Sequence, residues 1–251
     1  MFEHNNGSPS KKCKVFAHRG ANREAMENTR SAFDKALRYA IDGIETDVQL
    51  SRDEVTVLWH DRFLDKVGMN DKRIDDFDYQ QLQTLINPDS ENEGIMTLQD
   101  LLIAYRERCQ LLIEVKNRDW EPLARHQTKI RQILDLIGSN PDQNPLVSSF
   151  NLASLEYAHR YRSETPLIYN FETDQTITDA CRLLTTHAFL YGFCLPISST
   201  EQAIVDLLHD HRKCVGVYTC NNDVEITKAL LLGVDMLISD LPNEALILRD
   251  Q

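Results

Sequence analysis

Eight short runs rich in apolar and β-branched residues lie at 14–17, 43–47, 111–115, 146–150, 167–170, 189–193, 215–219 and 236–238, with longer stretches of helical periodicity between them. A strand that is apolar along its whole length is buried on both faces, and strands that alternate with helices pair in parallel. Helix-start signals stand where that alternation needs them. Asn28 precedes a segment with Ala32, Phe33, Ala36, Leu37 and Ala40 on one side. Thr97 and Asp100 form a capping pattern opening residues 98–106, and Asn222 with Glu225 does the same for the run that closes at Gly233. Eight such units in 251 residues fit an α/β fold, the TIM (β/α)8 barrel. An open doubly wound sheet is the structural rival. The 9 Gly and 8 Pro are scattered and no Ser/Gly/Pro-rich linker interrupts the chain, so residues 1–251 read as a single domain.

One stretch resists the parallel pattern. After Glu45-Thr46-Asp47-Val48-Gln49-Leu50, only residues 51–54 intervene before Val55-Thr56-Val57-Leu58-Trp59-His60. A parallel crossover needs about a dozen residues or more. The second strand therefore carries a β-hairpin extension turning near Arg52 and Asp53, which sets residue 45 opposite about 60 and residue 47 opposite about 58. His60 thereby returns to the two carboxylates on the first arm.

Charge narrows the function classes. Lys and Arg total 27 against 39 Asp and Glu, a formal net charge of −12. That excess argues against nucleic acid as a partner and against stable association with anionic membranes. It also requires that an anionic substrate meet a local reversal of sign. The 42% hydrophobic content excludes intrinsic disorder, and no apolar run approaches the ~18 residues of a membrane span. No apolar stretch follows Lys11 and Lys12, so no signal peptide is expected and the expected location is cytoplasmic. The six cysteines show neither C-x-x-C nor metal-ligand spacing and read as reduced thiols.

Chemistry in such a barrel sits at the C-terminal ends of the strands. His18-Arg19-Gly20 ends the first strand, Glu45 and Asp47 share one face of the second, and His60-Asp61 comes back on the hairpin. Glu114-Val115-Lys116 ends the third parallel strand, again an i, i+2 pair. Singly, each group has a plain structural role: a hydrogen-bonded histidine, a solvated acid, a cross-face ion pair. Together they do not, because charge inside apolar strands is costly unless it is paired or bound to metal. Three carboxylates on one rim call for a cation, and hard oxygen ligands favour Mg²⁺ or Ca²⁺ over zinc. A dication with Arg19 and Lys116 attracts phosphate, and two histidines suit general acid–base work near neutral pH. The reaction class is metal-assisted cleavage of a phosphodiester.

In order, His18-Arg19-Gly20, Glu27-Asn28-Thr29, Ala32-Phe33, Glu45-Thr46-Asp47-Val48 and His60-Asp61 resemble the glycerophosphodiester phosphodiesterase family, within the phospholipase-C-like phosphodiesterases. Thr97-Leu98, Glu114-Val115-Lys116, Ser149-Phe150, Gly233-Val234-Asp235 and Ser239-Asp240-Leu241-Pro242 continue the resemblance to about residue 243. Any one tripeptide is weak; the ordered set is specific. The resemblance implies hydrolysis of a glycerophosphodiester to sn-glycerol 3-phosphate and an alcohol, with a role in glycerol and lipid metabolism. It implies His18 and His60 as the acid/base pair, Glu45, Asp47 and Glu114 as ligands of one divalent cation, and Arg19 and Lys116 as phosphate contacts. Mg²⁺ is the expected metal, with Ca²⁺ and Mn²⁺ as alternatives. It further implies a small cap inserted after His-Asp, here residues 62–96 with a short helix at 78–85, and Phe150 and Tyr218 as walls of the substrate pocket.

Three positions depart from the family pattern. Met26 replaces a proline and loosens the loop entry, Glu54 replaces a hairpin glycine and suggests another turn type, and Tyr218 replaces a tryptophan. A phospholipase-D-like activity on lysophospholipids, a catalytically silent binding module and a barrel with merely structural rim charges are the alternatives. All seven residues of the implied set are present, which weighs against the silent module.

Overall fold

β1 (Lys14–His18), β2 (Gly43–Leu50), β3 (Thr56–Leu58), β4 (Gln110–Val115) and β5 (Leu146–Ser149) are followed by β6 (Leu167–Asn170), β7 (Gly192–Pro196), β8 (Cys214–Tyr218) and β9 (Met236–Ser239). In this computed structural model the described residues are 12–86, 94–118, 120–139 and 145–251. All but β3 pair in parallel, and β1 joins β2 on one side and β9 on the other, which closes a (β/α)8 barrel and excludes the open sheet. Inside the barrel, Phe16, Leu112, Leu146, Ile168, Cys194, Met236 and Ile238 form one apolar cluster. A larger cluster fills the layer between strands and helices. None of the six cysteines forms a disulfide. No helix among the described residues is long and apolar enough to cross a membrane.

The helices follow their capping signals with one shift. Thr97 accepts from Asp100 N ahead of α3 (Leu98–Tyr105), and Asn222 accepts from Glu225 N ahead of α8 (Asp223–Leu231). At α1 (Arg30–Ala36), however, the cap is Thr29 rather than Asn28. Asn28 is freed for another contact, in a left-handed backbone at φ 58°. Thr29 Oγ1 also donates to Met26 O at 2.6 Å, so a hydrogen bond fixes the loop entry where a proline ring is missing.

Two expected boundaries move. The run at 189–193 gives a strand only from Gly192 to Pro196. Phe189 instead stacks on His159 of α5 (Leu152–Tyr161), with ring centroids 4.3 Å apart, so its apolarity serves a helix contact. Gly192 begins the strand because a Cβ there would lie 2.3 Å from Cys214 O. In the hairpin, Val48 pairs with Leu58 and Leu50 with Thr56, one residue out of the expected register. The loop has three residues, with Glu54 at φ 64° in its last position. Glu54 thus takes the left-handed backbone a glycine would supply freely, at a cost of about 1 kcal/mol, and the turn keeps that handedness. His60 follows the last paired residues instead of lying opposite Glu45, and Trp59 N donates to Asp47 O.

The inserted segment is structured. The 3₁₀ turns Asp65–Val67 and Ile74–Asp76 lead to α2 (Tyr79–Leu85), which Asp78 caps. Leu64, Ile74, Leu82, Ile86 and Ile95 pack with Val57 and Trp59 into a small core of their own. Residues 87–93 of the expected 62–96 cap, and residues 1–11 of the expected single domain and leaderless start, lie outside the described residues.

Candidate active site

Register alone brings the acids together. Asp47 on β2 pairs with Glu114 on β4, and Glu45 lies one pleat earlier on the same face of β2. Glu45, Asp47 and Glu114 each offer an oxygen, all within 4.8 Å of one another, and Asp47 is only 1% exposed. Lys116 Nζ stands 2.9 Å from Asp47 Oδ1 and also pairs closely with Glu114. Arg19 Nε is 3.2 Å from Asp47 Oδ2. Asn28, displaced from the helix cap, donates from Nδ2 to Asp47 Oδ2 at 3.0 Å and accepts from Thr46 Oγ1 at 2.7 Å.

The electrostatics of this cluster are lopsided. Burial, then the neighbouring Asp47 and Glu114, push Glu45 well above the ordinary carboxylate range. Burial works against Asp47 too, but Lys116 and Arg19 more than offset it and hold Asp47 well below that range. The same pairs keep the two cations charged against the cost of their own burial. Two cations thus face three carboxylates, and Glu45 is the one whose ionisation they do not offset. An all-oxygen donor set with uncompensated charge is what a hard dication fits.

The two histidines flank that cluster, each braced by a carboxylate. His18 Nδ1 donates to Asp240 Oδ1 at 2.6 Å, and His60 Nδ1 donates to Asp61 Oδ1 at 2.8 Å. A carboxylate accepts, so Nδ1 carries the proton on each ring and Nε2 is left to act. His18 Nε2 lies 3.9 Å from Glu45 Oε2. Asp240 is itself held by Asn22 Nδ2 at 2.6 Å, Arg23 Nη2 at 3.0 Å and Asn221 Nδ2 at 2.8 Å.

Two cavities meet at this rim. A narrow one of about 30 Å³ runs down the barrel axis between His18, Glu45, Glu114, Phe150 and Tyr218. A wider one of about 290 Å³ opens on the other side, between His60, Lys116, Asn117, Arg118, Asn151 and Glu172. Glu114 and Phe150 border both. Phe150 and Tyr218 meet edge to face with centroids 5.8 Å apart. A larger cavity, about 750 Å³, lies at the opposite end of the barrel. Several of its cations already have acid partners, Lys12 with Asp250, Arg249 with Asp42 and His209 with Asp235, so size does not locate the chemistry.

The structure thus gathers His18, His60, Arg19, Lys116, Glu45, Asp47 and Glu114 at one rim, with Phe150 and Tyr218 beside them. Arg19 differs from expectation in its partners: its guanidinium is clamped between Asp47 and Glu27, whose oxygens lie 3.0 and 3.1 Å from Nη1. Sequence reasoning gave Asn28 only a place at a helix start and assigned no role to Asp61 or Asp240. The signals were present, an acid directly after His60 and another at the end of the last strand.

Residues 18–244 match the glycerophosphoryl diester phosphodiesterase family. The chain is 29% identical over 250 residues to a glycerophosphodiester phosphodiesterase of Bacillus altitudinis, covering 95% of this chain and 98% of that one. It is 24% identical over 247 residues to another of Bacillus subtilis (strain 168), covering 91% and 84%. Among solved structures, an Oleispira antarctica phosphodiesterase in complex with the product sn-glycerol-3-phosphate superposes with a TM-score of 0.83 at 23% identity, covering 96% and 98%. A Thermotoga maritima glycerophosphodiester phosphodiesterase gives 0.78 at 23% identity, covering 94% and 98%. From His18 at the end of the first strand into the helix after the last strand, this chain belongs to the glycerophosphoryl diester phosphodiesterase family.

Proposed function

We propose that this chain hydrolyses glycerophosphodiesters to sn-glycerol 3-phosphate and a free alcohol, with His18 and His60 as its acid/base pair. The observation that carries the reading is the pair of carboxylate-braced imidazoles on two sides of one buried acidic cluster. One imidazole Nε2 takes a proton from the attacking oxygen, either water itself or a glycerol hydroxyl whose cyclic phosphate water then opens, and the other returns a proton to the leaving alcohol oxygen. Lys116 and Arg19 face the negative charge that builds on the phosphoryl oxygens. Glu45, Asp47 and Glu114 are the residues to hold a divalent cation, Mg²⁺ first, with Ca²⁺ and Mn²⁺ as alternatives. What such an ion supplies when bound is neutralisation of phosphoryl charge. Phe150 and Tyr218 wall the narrow cavity. The wider pocket is lined by Asn117, Arg118, Asn151 and Glu172, which suits a polar alcohol better than the acyl chain of a lysophospholipid.

The test is release of glycerol 3-phosphate from glycerophosphocholine and glycerophosphoethanolamine, with Mg²⁺, Ca²⁺ and Mn²⁺ in parallel. EDTA should abolish turnover, one of the three ions should restore it, and His18→Ala should cost about 10²–10⁴ in rate. Full turnover in EDTA, or full activity of His18→Ala, would sink the reading.

A further inference from the structure

Among the described residues, Lys66 carries the inserted segment to the rim of the site. Lys66, in the 3₁₀ turn Asp65–Val67, places Nζ 2.7 Å from Glu27 Oε1 and 2.7 Å from Asp61 Oδ2. Each of those carboxylates has a second engagement. Asp61 accepts from His60 Nδ1 through its other oxygen, and Glu27 accepts from Arg19 Nη1. Glu27, His60 and Asp61 offer donor atoms within 4.8 Å of one another, and the ammonium already sits between the two acids of that group.

The anchor of this lysine is firm. Leu64, two residues before it, is wholly buried in the small core of the insertion, and Leu64 N donates to Lys72 O at 2.8 Å. Gly68 N closes the turn on Asp65 O at 2.9 Å. Lys66 itself stays 42% exposed, so little packing depends on it. Burial works against its charge, but the hydrogen bonds it donates to Asp61 and Glu27 more than offset that and raise its pKa. Asp61 is held well below the carboxylate range, first by His60 and, against burial, by Lys66.

We propose that Lys66 is a positioning residue: one ammonium carried by the insertion fixes both Asp61, which orients His60, and Glu27, which orients Arg19. This rests on the acid/base reading of His60 given above. The insertion then sets a general acid/base group and a phosphate-facing guanidinium from outside the barrel. Without the ammonium, Asp61 and Glu27 are two carboxylates facing each other, and each swings away from its partner.

The test compares the wild-type chain with Lys66→Met and Lys66→Arg. Loss of the partner that orients an active-site ligand typically costs about 10- to 100-fold, and kcat of Lys66→Met should fall by that much while KM moves less than about threefold. Lys66→Arg should recover most of kcat. Independently of turnover, the ¹⁵N-coupled imidazole signals of His60 should report one Nδ1–H tautomer in wild type and Lys66→Arg, and a mixture in Lys66→Met. A folded Lys66→Met with wild-type kcat and an unchanged His60 tautomer overturns the proposal; so does Lys66→Arg no better than Lys66→Met. A wild-type chain inactive on every glycerophosphodiester overturns the reading of the reaction instead, and the tautomer measurement still decides the role of Lys66.

Discussion

His18 takes its orientation from a residue 222 positions away in the chain. Asp240 is partly buried, which raises its pKa, but the hydrogen bonds from His18 and Asn22 more than offset this and lower it from 3.8 to about 2. The folded value lies below the unfolded one, so the associated stability is fully present above about pH 4 and lost as pH falls through about 2. Its size is at most about 2 kcal/mol. Urea unfolding from pH 6 to pH 2 should therefore show Asp240→Asn losing less stability over the last two pH units than wild type, and a parallel fall of both proteins would refute the linkage. His18, Glu45, Asp47, His60, Glu114 and Lys116 were legible in the sequence, because charges at i, i+2 spacing inside apolar strands have few uses besides a rim site. Asp240 was legible only as part of a motif. Its use depends on a through-space contact that no local pattern encodes. Asn28 was misplaced for a related reason: Asn is the better N-cap of the two, and only the buried Asp47 beside it turns Asn28 inward and leaves the cap to Thr29.

At the scale of elements, the joint between α4 (Leu123–Ile137) and the end of β4 rests on a buried ion pair. Lys129 is wholly buried; its Nζ donates to Glu121 at 2.9 and 3.1 Å and closely to the carbonyl of Lys116. Burial pushes Lys129 down to about 8 in spite of Glu121. Its folded value lies below the unfolded one, so keeping the ammonium charged costs stability below about pH 8. Glu121→Gln leaves that charge uncompensated and should cost about 3–5 kcal/mol in denaturant unfolding at pH 7. The deficit should shrink as pH rises toward 10; a loss under 1 kcal/mol, or one independent of pH, would count against the pair. The existence and type of the eight parallel strands were legible from apolar runs. The boundary at β7 was not, because Phe189 is as apolar as a strand residue yet packs on a helix side chain. The hairpin register slipped by one because a three-residue loop with Glu54 in left-handed backbone centres the turn on Asp53 instead of between Arg52 and Asp53.

For the whole molecule, the net charge of −12 and the site are compatible because the site carries its own balance of charge. Three buried carboxylates against two cations leave the metal-free fold under local repulsion, which a bound dication relieves. Binding to the folded state alone raises stability by about 2.7 kcal/mol at one hundred times Kd. Thermal unfolding should therefore shift upward on adding Mg²⁺ or Ca²⁺ to EDTA-treated protein, and the shift should vanish in a Glu45→Gln, Asp47→Asn double variant; an equal shift in both proteins would place the ion elsewhere. The closure of the barrel has a temporal side. β2 and β4, which carry Glu45, Asp47 and Glu114, are neighbours in the sheet with β3, the insertion and α3 between them in sequence. β1 must instead wait for β9 before its second edge is covered, and His18 waits with it for Asp240. Contacts between residues so distant in sequence form late, because closing the largest loop carries the highest entropic cost. On a ribosome the acidic cluster can assemble while much of the barrel is still unmade. His18, proposed here as one of the acid/base pair, gains its brace only when the final strand docks, so on that reading a partly synthesised chain can gather its acidic cluster well before it can turn over substrate.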